Sequence, residues 1–371
     1  MHFGYFNLMQ QRDPKKRVRD SYGDSLTQVK LAEDLGFEIA WFAEHHFSTY
    51  SVCPSPLMTI AWMAGQTKRI KLAPGVLLLA LYEPVRLIQE IGMADVMSDG
   101  RFVLGLGTGY QPYEFMRFNQ NLKEGGDRYL EVLDMLEMGL TEGEVAYKGK
   151  YYSVPPTRFA VSPLRRLPEI YVAGVLNHPG IRKRTCESGY VPILAPAWNP
   201  IALVEKQRAD YLDVARSVGV KAEDFPFSLM RYVHVTDSRE DAVEAAEQFR
   251  YLTRVATAFR FDYGTFDGVT PDDQPAKGEP PLEDQVKNGI FGSPEHCAEI
   301  IVREIKTLNP VHYIINMQAG SLDPRKTMRS LERFGKDVMP LVRKALPNLD
   351  SIGGRVGPLR PGFMGRQVAA Q

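Results

Sequence analysis

The sequence has few cysteines and no excess of charge of either sign. Its 371 residues include only Cys53, Cys186 and Cys297. Because these are odd in number and widely spaced, they predict neither a disulfide framework nor a paired metal site. Lysine plus arginine equals aspartate plus glutamate, 45 of each, so no long-range field attracts nucleic acid or an anionic membrane. We therefore expect no metal and no nucleic-acid partner.

Long apolar runs are also missing. The apolar run at 72–81 is too short to cross a bilayer. The N-terminal segment MHFGYFN lacks the basic region and following apolar core of a signal peptide. Apolar residues make up 44% of the chain, which is enough for a sizeable core. We expect a globular cytoplasmic protein without a membrane partner.

Short apolar runs alternate with longer segments of helical periodicity along most of the chain. We predict strands at 3–8, 39–43, 70–77, 102–106, 169–173, 190–194, 227–235 and 311–316, each followed by a helix. Strands that each precede a helix predict a parallel sheet, and a count of eight favours an α/β fold closed as a (β/α)8 TIM barrel. An open, doubly wound sheet is the alternative.

Two segments interrupt this alternation. Residues 147–167 contain several tyrosines and prolines and predict a short hairpin before the fifth strand. Residues 261–291 are rich in Asp, Gly and Pro, and loops of this length commonly act as lids. We predict one barrel domain over 1–349, with an insertion or lid at about 255–291, and a flexible tail at 350–371. Ser293 and Pro294 predict the start of the next helix.

Three titratable side chains, Glu44, His45 and His46, directly follow the second predicted strand. In a barrel of this class, the C-terminal ends of the strands form the catalytic mouth. Histidine changes charge near neutral pH, and a neighbouring carboxylate can fix its tautomer. We therefore interpret these residues as a candidate catalytic cluster. The alternative is a pair of inert histidines that cap the strand.

Other candidates lie at the ends of further predicted strands. The glycine-rich segment 105–110 follows the fourth strand and is either a ligand cradle or a plain tight turn. Gly75 lies inside the third strand, where a glycine often marks the close approach of a ligand. Asn177 follows the fifth strand as a candidate helix cap that could direct N–H groups at an anion. Trp198 and Met317 follow the sixth and eighth strands and could line an apolar pocket.

Taken together, several motifs resemble those of the bacterial luciferase-like flavin monooxygenases. They are WFAEHHF at 41–47, DVMSDGRF at 95–102, GLGTGY at 105–110 and GSPEHC at 292–297. The resemblance extends over roughly residues 1–346. It implies a (β/α)8 barrel that uses O2 and reduced FMN from a separate flavin reductase. A flavin hydroperoxide would then oxygenate a small hydrophobic substrate. A homodimer is expected.

The resemblance also assigns roles to individual residues. His45 would act as the base or stabiliser beside the flavin, oriented by Glu44 and His46. A non-proline cis peptide is expected at Gly75–Val76, behind the flavin ring. The remaining expected flavin contacts are Tyr5, Thr108, Gly109, Tyr110, Gly174, Leu176 and Asn177. The expected substrate-pocket residues are Phe47, Trp198 and Met317.

The chain departs from the family pattern at the phosphate site. Thr108 stands where luciferase has a phosphate-binding arginine, and Leu176 or Asn177 replaces a phosphate-binding serine. Gly107 stands where luciferase has a reactive cysteine, which argues against light emission. Thr108 and Asn177 could still bind phosphate, with Arg182 or Arg184 compensating. Two alternatives remain: a deazaflavin-dependent hydride-transfer enzyme of the same fold, and a non-catalytic flavin-binding subunit.

Overall fold

The apolar segments of the chain form short parallel strands that alternate with helices. The structure is a computed structural model that describes residues 1–164, 167–174 and 178–354. Its strands are β1 (His2–Asn7), β2 (Ile39–Phe42), β3 (Lys71–Pro74), β4 (Leu77–Leu78), β5 (Leu104–Gly107), β6 (Glu144–Lys148), β7 (Ser153–Arg158), β8 (Ile170–Ala173), β9 (Val191–Leu194), β10 (Ser228–Val235), β11 (Phe266–Asp267), β12 (Thr270–Pro271), β13 (Ile290–Gly292) and β14 (His312–Asn316).

The α-helices mostly connect successive strands. They are α1 (Val18–Asp34), α2 (Pro56–Ala64), α3 (Pro84–Met97), α4 (Pro112–Arg117), α5 (Gly125–Glu142), α6 (Pro179–Ser188), α7 (Ala202–Ser217), α8 (Arg239–Arg260), α9 (Leu282–Asn288), α10 (Pro294–Leu308), α11 (Pro324–Arg333) and α12 (Met339–Ala345). Ser293 caps α10 by accepting from the His296 N–H at 3.3 Å, so the predicted start of this helix is confirmed.

The strands close into a barrel. Their order is β3-β2-β1-β14-β10-β9-β8-β5-β4, all paired in parallel. The two ends of this series, β3 and β4, are separated along the chain by only Gly75 and Val76. A bridge between Leu72 and Phe102 also joins β3 to the segment before β5. Counting β3 and β4 as one interrupted strand gives eight positions, which confirms the predicted (β/α)8 barrel over the open sheet.

The insertion begins earlier in the chain than the sequence indicates. After α8 the chain forms the β11–β12 hairpin and α9, and it rejoins the sheet where β13 pairs with Val233–Val235 of β10. The excursion from the barrel wall therefore spans 239–289 and includes most of the predicted insertion at about 255–291. The helix that follows β10, α8, continues to Arg260 and packs with α9, while α10 leads from β13 to the last strand.

Ion pairs hold this excursion together. Arg254 donates to Glu279 at 2.6 Å and to Asp273 at 3.0 Å, and Arg12 from the loop after β1 contacts Asp273 at 2.6 Å. The segment 261–291, which we predicted as a long loop or lid, is thus fixed to α8 and to the barrel. The predicted hairpin before β8 is also present, as β6 and β7.

The last described residues contact the turn that precedes β14. Gly353 donates its N–H to the Asn309 side chain at 3.0 Å, and the predicted flexible tail lies outside the described residues from 355 onward. Within the described parts of the chain, no helix combines the length and the apolar character that crossing a membrane requires.

A buried histidine lies inside the barrel. The Trp41 indole N–H donates to His312 Nε2 at 3.1 Å, and the ring of Tyr171 packs 5.7 Å from the His312 ring. Burial lowers the pKa of His312 to about 3. The imidazole is therefore neutral in the folded protein, as its acceptance of the indole proton also requires.

We expect this histidine to make the fold sensitive to acid. Its pKa is about 3 when folded and about 6.5 when unfolded, so between these values the unfolded state binds more protons. The free energy of unfolding should then fall by about 1.4 kcal/mol per pH unit below pH 6.5 from this group. Urea denaturation across this range should show a shallower pH dependence in His312→Gln. Equal slopes for the variant and the wild type would contradict this assignment.

Candidate active site

A cavity of about 360 Å³ opens at the C-terminal ends of the barrel strands. Its lining is mostly apolar and comes from six wall strands, the segments that follow them, α7 and α8. The lining residues are Phe6, Trp41, Gly75, Val76, Ala173, Gly174, Ile193, Leu194, Ala195, Gln207, Tyr211, Met230, Arg260 and Ile314. This is the position at which barrels of this class bind their ligands, and we call it the mouth cavity.

The floor of the mouth cavity is formed where the third strand is interrupted. The Gly75–Val76 peptide is cis, which confirms the expectation drawn from the resemblance. A Cβ at Gly75 would lie 3.0 Å from the Phe6 ring and 3.3 Å from Trp41 Cβ. Only a residue without a side chain fits here without pushing these neighbours, so glycine preserves the shape of the floor.

A carboxylate that the sequence did not reveal holds His45 in the loop after β2. The His45 Nδ1 lies 3.0 Å from Oε1 of Glu114, which is fully buried on α4, and 2.9 Å from the Gln111 side-chain amide. Because a carboxylate only accepts hydrogen bonds, the Glu114 contact requires a proton on Nδ1, and the Gln111 amide, whose Nε2 can only donate, must then present its otherwise unpartnered oxygen to this proton. Nε2 is then left unprotonated, and it has no hydrogen-bond partner among the described residues. A histidine held in this way can accept a proton at Nε2.

Aromatic rings connect His45 to the mouth cavity. The Tyr110 ring packs edge-on against the imidazole at 5.8 Å, and the Tyr50 ring lies 4.6 Å from it. Tyr110 donates its hydroxyl proton to Tyr50 at 3.3 Å. Burial raises the pKa of both phenols, so both remain neutral donors at ordinary pH.

Glu44 and His46 form a separate pair that faces away from His45. His46 Nε2 lies 2.9 Å from Glu44 Oε1, and the other Glu44 oxygen accepts from the Tyr82 hydroxyl at 2.8 Å and the Leu78 N–H at 3.2 Å. Burial raises the pKa of Glu44, and these hydrogen bonds offset part of the rise. The expectation that Glu44 and His46 orient the His45 ring is therefore wrong, because the contacting carboxylate is that of Glu114.

Glu114 fixes both histidines at once, since its Oε1 also accepts the His46 backbone N–H at 2.8 Å. Hydrogen bonds to a charged, buried group contribute about 1.5–3 kcal/mol each. We expect Glu114→Ala to lower the free energy of unfolding by about 3 kcal/mol, and Glu114→Gln, which keeps an acceptor, by about 1 kcal/mol. Chemical denaturation measures both values.

The exposed Glu299 on α10 offers a matched control. Glu299→Ala should change the free energy of unfolding by less than about 0.5 kcal/mol. A Glu114→Ala protein as stable as this control would show that the buried carboxylate does not stabilise the loop.

The structure places some of the expected flavin contacts in the mouth cavity and others away from it. Gly75, Val76 and Gly174 line it, and Tyr110 lies at its rim beside Arg260. Thr108 and Gly109 follow β5, where the Thr108 hydroxyl donates to the Gly109 carbonyl at 3.1 Å. The expected contacts Leu176 and Asn177 fall outside the described residues.

One expected flavin contact, Tyr5, and one expected substrate-pocket residue, Met317, point into the core instead. Tyr5 is fully buried and donates to Gln28 on α1 at 3.0 Å, whereas its neighbour Phe6 lines the mouth cavity. Met317 is equally buried and accepts from the Ser330 hydroxyl on α11 at 3.8 Å. Successive side chains of a strand point to opposite sides, so Tyr5 faces the helix layer where Phe6 faces the lumen, whereas Met317 lies just past the end of β14.

The other two substrate-pocket candidates lie near the site but do not line the cavity. Phe47 has a positive φ of 62° and packs against Phe118 at 5.2 Å. The half-buried Trp198 accepts from the Asn288 side chain at 3.0 Å, through its backbone carbonyl. Trp198 thus connects the segment after β9 to α9 of the excursion.

Sequence reasoning missed Gln111, Glu114 and Arg260. The first two lie at the start of α4, a helix of six residues that is too short for its periodicity to be recognised. The pair Gln111-Pro112 was the available signal, because proline at a first helical position marks a helix start. Arg260 was assigned to the insertion, and no local pattern indicates that the insertion returns to the mouth cavity.

A sequence model of the family described as luciferase-like monooxygenase matches residues 1–308. The chain belongs to this family. It is therefore an oxidoreductase, and the resemblance read from the motifs is confirmed. It is 24% identical over 351 residues to the oxygenase component of the flavin-dependent trigonelline monooxygenase of Acinetobacter baylyi, covering 92% of this chain and 95% of that protein.

Two solved structures share the luciferase-like fold. The oxygenating constituent of 3,6-diketocamphane monooxygenase from Pseudomonas putida, in complex with FMN, matches with a TM-score of 0.74 at 22% identity, covering 92% of this chain and 98% of that one. The coenzyme F420-dependent tetrahydromethanopterin reductase of Methanopyrus kandleri matches with a TM-score of 0.68 at 18% identity, covering 91% and 98%. At these identities the likeness shows the fold alone.

The mouth cavity fits the planar, apolar ring of a flavin. Phe6, Trp41 and Met230 supply apolar surface, and the Gly75–Val76 floor has no side chain at its first residue. The polar groups that line it include Arg260 and the Gln207 amide. A cavity of this kind, apolar with a few convergent polar groups, is typical of cofactor sites.

Proposed function

We propose that this protein is the oxygenase component of a two-component flavin-dependent monooxygenase. The observation that carries the proposal is His45, whose Nδ1 lies 3.0 Å from the buried Glu114, beside the apolar mouth cavity. Reduced FMN, when bound, supplies the two electrons that activate O2. One oxygen atom enters a small hydrophobic substrate and the other leaves as water. A separate flavin reductase would regenerate reduced FMN, and the reaction would take place in the cytoplasm.

The residues of the chain have separate roles in this proposal. Gly75 and Val76 would support the flavin ring from below, and Phe6 and Trp41 would exclude water from it. His45 would accept or return a proton at Nε2, within reach of the reacting group. Glu114 would hold the imidazole in the required tautomer as a positioning residue. Glu44 and His46 would stabilise the neighbouring loop, with no contact to the reacting atoms.

Oxygen consumption tests the proposed function directly. The purified protein is loaded anaerobically with reduced FMN and then mixed with oxygen, with and without a panel of ketones, aldehydes and terpenes. We expect oxygen uptake that yields an oxygenated product with one panel member and mainly hydrogen peroxide without it. A protein that binds FMN but forms no product with any panel member would instead favour a non-catalytic flavin-binding subunit.

A deazaflavin coenzyme is the second candidate. The specific observation in its favour is at the phosphate site, where the short side chain of Thr108 replaces a cation and donates to the Gly109 carbonyl. The same anaerobic experiment is therefore repeated with reduced coenzyme F420. Tight binding of F420, together with hydride transfer and no oxygen uptake, would replace the monooxygenase proposal.

We further propose that the protein is a homodimer, with contacts through the outer face of α2 and α3. A groove of about 580 Å³ runs between these helices, and its rim includes Met58 and Met97, which are 75% and 53% exposed. Met93 and Val96 extend the same apolar face. Monomeric proteins seldom leave such methionine-rich faces uncovered, and a second copy of the chain would cover them.

Replacing this apolar face with charge should separate the subunits. We expect the wild type to have twice the mass of the chain in light scattering after gel filtration, and Met58→Glu/Met97→Glu to have the mass of one chain. Met116, which is equally exposed but lies on α4, provides the control Met116→Glu. A wild type with the mass of one chain would contradict the dimer.

A further inference from the structure

Arg260 brings a guanidinium group to the mouth cavity from outside the barrel wall. It is the last residue of α8, the long helix of the excursion. Its guanidinium carbon lies 4.5 Å above the centre of the Tyr110 ring, and the side chain contributes to the lining of the cavity. The Tyr110 ring also packs edge-on against the His45 ring, at 5.8 Å. One aromatic ring therefore separates the cation from the candidate base.

The position of Arg260 is fixed by its neighbour. Phe259 stacks on Tyr113 of α4 at 5.8 Å and on Phe266 at 5.4 Å, and it contacts the Tyr50 ring edge-on at 5.6 Å. These contacts pin the end of α8 to the loop that carries Gln111 and Glu114. The backbone at Arg260 is therefore held near the His45 site, and the exposed Arg260 side chain lies over the Tyr110 ring.

The charge of Arg260 is not balanced by the protein. Among the described residues, no carboxylate lies within ion-pair distance of it, whereas Arg254, less than two turns earlier on α8, pairs with both Asp273 and Glu279. Gln207 lines the same cavity, and its side-chain oxygen has no hydrogen-bond partner in the described structure. The Arg260 cation at the edge of an otherwise apolar cavity is suited to an anion with an apolar body, whereas the Gln207 oxygen only accepts hydrogen bonds and would meet a donor group of the ligand.

We propose that Arg260 binds a carboxylate group of the substrate, so that the substrate is a hydrophobic organic acid. This inference rests on the proposed monooxygenase function and narrows its substrate class. The other possible anion in the same cavity is the flavin phosphate. Arg260 is better suited to the substrate, because it comes from the element that covers the mouth and lies one ring away from His45. The phosphate position expected from the resemblance is the segment of Thr108, two residues before Tyr110, so the flavin titrations below must separate the two anions.

Binding measurements test this role without relying on turnover. Calorimetric titration of the FMN-loaded protein compares benzoate, phenylacetate and cyclohexanecarboxylate with their primary amides. We expect at least one acid to bind the wild type ten or more times more tightly than its amide. Arg260→Gln should abolish that preference, and Arg260→Lys should keep part of it. Arg117→Gln is the matched control, because Arg117 also stacks on a tyrosine, at 3.4 Å from the Tyr113 ring centre, but does not line the cavity.

Titration of FMN and riboflavin separates the two anions. If Arg260 serves the substrate, Arg260→Gln should change the dissociation constants of both flavins by less than about twofold. A tenfold loss for FMN with none for riboflavin would assign the cation to the flavin phosphate and overturn the proposal. A wild type with no preference for acids over amides would overturn it as well. Failure of the proposed function would give a different result, because FMN would not bind. Titration of the flavin-free protein with the acids would still decide the role of Arg260 in that case.

Discussion

His45→Ala is expected to reduce product formation about 10²-fold or more, while the protein stays folded. The reason is that the imidazole is oriented by Glu114 and its Nε2 has no hydrogen-bond partner among the described residues, and a lost acid–base group costs about 10²–10⁴-fold in rate. The variant should still bind FMN and consume oxygen. Its oxygen uptake should yield hydrogen peroxide in place of oxygenated substrate, because flavin oxidation itself does not require the histidine.

Product and hydrogen peroxide are measured per flavin oxidised, with the substrate that the wild type accepts from the panel. His296→Ala serves as the control, since His296 is exposed on α10 far along the chain from the mouth. His45→Gln, which keeps a polar group near Glu114, covers the case in which alanine destabilises the loop. Wild-type coupling in either folded His45 variant would remove His45 from the proposed chemistry.

The Glu114 variants complement this test. Glu114 makes its contacts at Nδ1 of His45 and at the His46 backbone, so its effect on the reaction should pass through the position of the imidazole. We expect Glu114→Gln to keep the ratio of product to peroxide closer to the wild-type value than His45→Ala does. A comparable loss in both variants would mean that the negative charge itself, and not only the orientation of the ring, is needed.

The fold was predictable from the sequence because its signals are periodic and repeated. Each wall strand is a short apolar run and most are followed by a helix of ten or more residues, so errors of one or two residues at an element end did not change the count of eight. The excursion was harder, because α8 begins directly after β10, as a barrel helix would. Only the pairing of β13 with β10 shows that the chain has left the wall and returned.

The candidate site was predictable only as far as strand ends define it. Glu44, His45 and His46 were correctly located after the second strand, but their pairing depends on side-chain directions within a loop. Glu114 lies 69 residues from His45 in the chain, and no local spacing connects them. For Tyr5 the pattern showed which strand reaches the mouth but not which of two adjacent side chains faces the lumen, and Met317 lies just past β14, where its contact with Ser330 on α11 could not be read from the sequence.

Gly105→Ala is expected to destabilise the protein more than an added methyl group at Gly75 would. Gly105 lies in β5, and a Cβ there would overlap the backbone carbonyl oxygen of Pro74 in the neighbouring strand and lie 3.1 Å from the Trp41 ring. Backbone cannot move aside as the end of a flexible side chain can. We expect the free energy of unfolding to fall by about 3 kcal/mol or more, measured by chemical denaturation.

Gly23→Ala is the matched control, because Gly23 lies on α1 with no atom within 4 Å of an added Cβ. That substitution should stabilise the protein by about 0.5–1 kcal/mol, since alanine loses less backbone entropy than glycine on folding. A Gly105→Ala protein as stable as Gly23→Ala would show that the two strands can separate without cost.

The same substitution tests how the glycine-rich segment contributes to the site. We interpreted Gly105 as part of a possible ligand cradle. The space left by its missing side chain is filled by Pro74, which directly precedes the Gly75–Val76 floor of the mouth cavity, and by Trp41, which lines the cavity. If some Gly105→Ala protein folds, displacement of Pro74 should shift Gly75 and Val76 with it and weaken FMN binding more than tenfold. Unchanged FMN binding in the folded variant would mean that the floor adjusts independently of β5. We therefore expect Gly105 to affect ligand binding through the packing of β5 against β3. The expected losses of stability and of FMN binding in Gly105→Ala then share one cause, the displacement of Pro74.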